Sequence, residues 1–187
     1  LSYFYAINPT ETLLNLPRLG NTFFAIFFCF LLLNGLENKI VFISRVFIGF
    51  LAFELLSLYS DLFTQLENNT FISTNLKGVA GNKNITAASI AFKVPFVLYS
   101  IVTVRKRLFK FIFSFLLFTA VFAISILYAR SAILSSFIVF LIFLVYSVYT
   151  LLTNRTQLKH NLSNLSLTIA PYVLAEFLNI TFTNSQN

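Results

Sequence analysis

The chain has 187 residues, of which 58% are apolar, 25 are phenylalanine and only 10% are charged, with a formal net charge of +7 and a mean hydropathy of +0.84. A soluble domain of this size has no interior able to bury so much apolar side chain, so the composition excludes an ordinary water-soluble globule and points to a bilayer as solvent. The cations lie between apolar runs and form no aromatic-interleaved stripe, which removes nucleic acid as a partner.

The first stretch, "LSYFYAINPTETLLNLPRLG", has an Asn8-Pro9 turn signal and no basic start, so it reads as a loop and not as a signal peptide. The chain begins at Leu1, has no methionine and ends on "TFTNSQN", which gives the expectation of a piece of a longer membrane domain. A helix needs roughly 20 mostly apolar residues to cross a bilayer core. Six stretches meet that length: 19–36, 40–59, 85–104, 109–128, 132–152 and 162–182. The expected fold is therefore all-α, a polytopic helix bundle, with a long loop at 60–84 able to act as a lid. Cys29, the one cysteine, lies in the first stretch and provides no disulfide or metal framework. The sixth stretch carries Asn164, Thr168, Pro171, Glu176 and Asn179, so it faces a bundle or pore, or lies partly at the interface.

Lysine and arginine bias sets the expected orientation. "RKRLFK" (105–110), "NRTQLKH" (154–160) and Lys39 place seven cations on one side; Arg18, Lys77, Lys83 and Arg130 are spread over longer segments on the other. The first side is expected to be cytoplasmic. Arg45 is near enough to that end to extend its head to the interface. Lys93 lies about 12 Å inside its helix at 1.5 Å per residue, deep enough to require a protein interior or a wet cavity. Glu54 and Glu176 fall in the same half of the membrane. They allow either a structural Lys93–Glu54 pair or a polar site open to the outer face.

On the outer side two helices begin, with Asn84 and Ser131 as expected N-caps. Helix starts carry partial positive charge and free N–H donors, and Lys83, Arg130 and Lys93 stand near them, so the expectation is a cationic, anion-binding pocket at the rim. Gly78 and Gly81 let the preceding loop fold closely over it. Arg130 is singled out because its forked guanidinium matches phosphate oxygens and keeps its charge.

Four pieces in order, "SYFYAINPTETLLNLPRLG" (2–20), "GVAGNKNITAAS" (78–89), "FKVPF" (92–96) and "ARSAIL" (129–134), resemble the bacterial O-antigen ligase and O-antigen polymerase family of polytopic membrane glycosyltransferases. The resemblance implies a GT-C-like fold and metal-independent transfer of a glycan from an undecaprenyl diphosphate carrier. The acceptor would be a glycan, a lipid A core or another hydroxyl, and the site would face the periplasm from the bacterial inner membrane. It further implies that Arg130 engages the diphosphate and that Asn82 and Asn84 form the asparagine element, with Lys83 and Lys93 beside them and Glu54 and Glu176 as supporting charges. No cofactor is implied. Ala129 stands where the family usually has serine, and the family's large outer loop, with a histidine and a further arginine, has no counterpart within the 187 residues. Such a loop and later helices are expected beyond residue 187, and the piece alone is expected to be inactive. His160 falls in a cytoplasmic loop and is no candidate base. The competing readings are a multi-pass transporter or flippase, in which Lys93, Glu54 and Glu176 couple flux to an ion, and a noncatalytic scaffold.

Overall fold

The computed structural model describes residues 37–68, 75–153 and 158–186, the side chains of 158–161 and 182–186 excepted. The expected first span, 19–36, with Cys29 and Arg18, lies outside the described residues. The chain divides into two compact units, Leu1–Phe42 and Ile43–Asn187; of the first, only 37–42 are described. The described residues form five helices and no strand: α1 Lys39–Glu67, α2 Lys83–Thr103, α3 Arg107–Ile126, α4 Arg130–Thr153 and α5 Leu158–Gln186. The first four are each long and apolar enough to cross a bilayer, so the protein is a membrane protein. Phe50, Phe53, Phe111, Phe115, Leu141 and Ile142 are all exposed, as suits a surface solvated by lipid.

Helix α5 occupies the expected sixth position, yet its polar residues keep it out of the set apolar enough to span unaided. Helix α1 is longer than expected. It continues eight residues past 59, because the stripe Leu51, Leu55, Leu58 and Leu62 keeps one buried face running beyond the end of the apolar run. At 1.5 Å per residue its 29 residues measure about 43 Å, against about 30 Å of hydrocarbon. It ends where the Asn68 backbone N–H and side-chain amide both donate to the Thr64 carbonyl, at 3.3 and 2.8 Å.

The closest packing in the bundle is between α3 and α5. Their contacts keep step along both chains: Lys110 donates to Asn164 Oδ1, the Ser114 hydroxyl to the Leu167 carbonyl at 2.7 Å, and the Ser125 hydroxyl to Glu176 Oε1 at 3.1 Å. The two helices therefore run parallel, with α4 returning between them. Small residues line the buried faces, Ala120 and Ala123 on α3 and Ala175 on α5, which lets the backbones approach. Pro171 lies inside α5. A proline has no N–H for the carbonyl four residues earlier, which here is Leu167, and the Ser114 hydroxyl takes the place of the missing donor.

Helix α2 lies against α3 and α4, and α1 joins α2 through long side chains: Phe47 stacks on Phe96 at 4.5 Å between centroids and meets Phe92 edge-on at 5.5 Å. The Tyr59 hydroxyl also reaches across to donate to the Thr119 carbonyl of α3 at 2.7 Å.

Candidate functional site

Helices α2 and α4 begin at the same end of the bundle. Ala88 and Ala91 of α2 line a common groove of about 530 Å³ with Ser131, Ala132 and Ser135 of α4, all in the first halves of their helices, and α3 runs back between the two in sequence, so both start toward one end. Two helix starts and their unpaired first-turn amides thus share one rim.

The caps differ from those expected. Asn82, not Asn84, is the N-cap of α2: its backbone is extended (φ −143°, ψ 126°) and its side-chain oxygen accepts from the Asn84 N–H at 2.9 Å. Lys83 and Asn84 form the first turn. Ser131 lies inside α4, which starts at Arg130, and the Ala129 carbonyl accepts the first helical bond, from Ile133 N–H, at 3.0 Å. No hydroxyl cap is in place there. The link between α3 and α4 turns on Tyr128 in the left-handed region (φ 51°), flanked by buried Leu127 and Ala129. That backbone conformation costs a non-glycine residue about 1–2 kcal/mol, and it leaves the link little slack. Arg130, directly after it, is exposed, and its guanidinium makes no hydrogen bond or ion pair with any described residue.

The segment expected to be a lid is fixed at its second half. Leu76 is fully buried, the Thr86 hydroxyl donates to the Lys77 carbonyl at 2.5 Å, and the Gly78 N–H donates to Asp61 Oδ2 at 3.3 Å. Gly78 and Gly81 both have positive φ (57° and 68°), and Gly81 N–H closes the turn on the Gly78 carbonyl at 3.2 Å. A Cβ on Gly78 would meet Thr86 Cγ2 at 2.9 Å, so glycine is required there by close approach as well as by backbone angle. Residues 69–74 lie outside the described set.

The embedded charges divide into two groups. Lys93 Nζ sits 2.9 Å from both oxygens of Glu54, 2.6 Å from Ser89 Oγ and 3.2 Å from the Ser89 carbonyl, and the Ser89 hydroxyl in turn donates to Glu54 Oε1 at 2.8 Å. The side chains are 8% and 18% exposed. Four acceptors surround an ammonium with three protons, so Lys93 has no donor left for a ligand. Glu176 is not part of that set. It bonds Ser125 and lines a separate cavity between α3, α4 and α5.

No protein-family model, curated protein or solved structure matches this chain. The geometry therefore stands by itself. What it contains beyond the sequence-derived candidates is a set of polar partners, Ser89, Asp61, Ser114 and Ser125. Ser89 was findable, since it lies one turn before Lys93 on the same helix face. Lys110, counted with Arg105, Lys106 and Arg107 in the cluster expected on the cytoplasmic side, is set apart from them by burial, with its ammonium turned onto Asn164 of α5.

Proposed function

We propose that the protein transfers a glycan from an undecaprenyl diphosphate carrier to a sugar or hydroxyl acceptor, as an O-antigen ligase or polymerase does, at the periplasmic face of a bacterial inner membrane. The observation that carries this reading is Arg130: an exposed guanidinium with no partner among the described residues, on the first residue of α4, at the end of the bundle where α2 also starts. Lys83, in the first turn of α2, stands at that same end. A carrier diphosphate is an anion held at the membrane rim and is also the leaving group. Fixed cations and helix starts bind it and stabilise the charge that grows as the glycosyl bond breaks.

The roles differ by residue. Arg130 offers a forked pair of donors to phosphate oxygens, and Lys83 adds a second cation. Asn82 holds the start of α2 by capping it, which presents Asn84 and the first-turn amides to the same anion. Lys93 and Glu54 neutralise each other and hold α1 to α2, which also argues against their serving as ion-coupling charges in a transporter.

The test is glycan transfer in native membranes. Arg130→Ala should abolish transfer while leaving the amount of inserted protein unchanged, and Arg130→Lys should restore only part of it, because an ammonium has no fork. Transfer retained in Arg130→Ala, or labelling of a cysteine at 130 only from the cytosolic side of sealed vesicles, would refute the proposal.

A further inference from the structure

The cavity that Glu176 lines, about 500 Å³ between α3, α4 and α5, has a chemistry unlike that of the Arg130 rim. Its walls are almost wholly apolar and include four aromatic rings, Phe137 and Phe140 from α4 and Tyr172 and Phe177 from α5. Two of the rings are locked in place. Phe140 and Tyr172 stack at 4.1 Å between centroids, and the Tyr172 hydroxyl is directed to the Ser136 carbonyl at 3.4 Å. Into this surface the chain sets one carboxylate. Ser125 donates to Glu176 Oε1 at 3.1 Å, whereas Oε2 accepts no hydrogen bond and the carboxylate has no ion-pair partner among the described residues.

An unpaired carboxylate amid aromatic faces repels phosphate and attracts a cation whose remaining surface is apolar, since ring faces carry negative potential. We infer that this cavity is a binding site for a lipophilic organic cation, an amine or quaternary onium, with Glu176 as its counter-ion. The inference is independent of glycan transfer, because it uses neither Arg130 nor the rim around it.

The experiment is equilibrium binding of tetraphenylphosphonium to the intact protein in nanodiscs, with empty nanodiscs subtracted and with isosteric tetraphenylborate and neutral triphenylphosphine oxide as comparisons. Saturable binding of the phosphonium alone, weakened about tenfold or more in Glu176→Gln, is expected; tenfold corresponds to about 1.4 kcal/mol, the attraction lost when the counter-ion is neutralised. Binding unaffected by Glu176→Gln, or equal binding of the borate or of the neutral compound, would overturn the inference and assign the cavity to an uncharged chain such as a lipid tail. Should Glu176→Gln fail to fold, Ile133→Phe, which fills the cavity and leaves the carboxylate, decides instead: saturable phosphonium binding must disappear, and its persistence refutes the site.

Discussion

Removing one member of the Lys93–Glu54 pair should destabilise the protein far more than removing both. At 2.9 Å and an effective dielectric constant near 20, the pair attracts by about 6 kcal/mol. Withdrawing two ions from water costs several kcal/mol each, so the net gain over an apolar pair is close to zero. Lys93→Leu leaves the Glu54 carboxylate, only 18% exposed, with the Ser89 hydroxyl as its one remaining donor, and should cost about 3–5 kcal/mol. Lys93→Leu combined with Glu54→Leu removes both charges and should return stability to within about 1 kcal/mol of wild type, or above it. Unfolding by SDS in mixed micelles, followed by circular dichroism, yields both single values and the coupling energy of the double-mutant cycle. A single variant costing under about 1 kcal/mol, or a double variant costing the sum of the singles, would show that the pair is not the closed, desolvated unit described.

Ser114→Ala should cost about 1–2 kcal/mol by leaving the Leu167 carbonyl without a donor, and adding Pro171→Ala should recover most of that loss in the same SDS titration; no recovery would mean the Ser114 bond does not stand in for the proline. Gly78→Ala should destabilise more than Gly81→Ala in thermal unfolding, since both incur about 1–2 kcal/mol of left-handed strain but only Gly78 also meets Thr86; equal losses would refute the close approach. An amine-reactive, membrane-impermeant label should modify exposed Lys106 and spare Lys110, read by mass spectrometry; labelling of both at similar rates would contradict the burial of Lys110.

The membrane helices were legible because apolar run length is a one-dimensional property, and α2, α3 and α4 fall within about two residues of their expected bounds. The end of α1 was not, since from Ser60 onward only the continuing leucine stripe, not the mean hydropathy, marks the helix. The caps were misplaced because Asn82 and Asn84 are equally good candidates by residue type, and only the backbone angle at 82 separates them. Lys93 and Glu54 were readable as embedded charges from their depth, but whether they meet depends on how α1 and α2 face one another, which no local pattern carries. The burial of Lys110 was out of reach for the same reason: in "RKRLFK" four cations look alike, and one of them faces inward where α5 supplies Asn164 at that height. Glu176 was set beside Lys93 and Glu54 by height alone, and it bonds Ser125 in a separate cavity, since sequence gives height along a helix but not position around the bundle.

The Ser114 bond to the Leu167 carbonyl bears on how the chain is built. α5 carries Asn164, Thr168, Pro171 and Glu176 along its length, and the partners of three of its polar groups, the Leu167 carbonyl, Asn164 and Glu176, are on a helix made about 50 residues earlier. The stable insertion of α5 is therefore coupled to α3: a growing chain that keeps α3 close by offers those groups their partners as α5 leaves the aqueous channel.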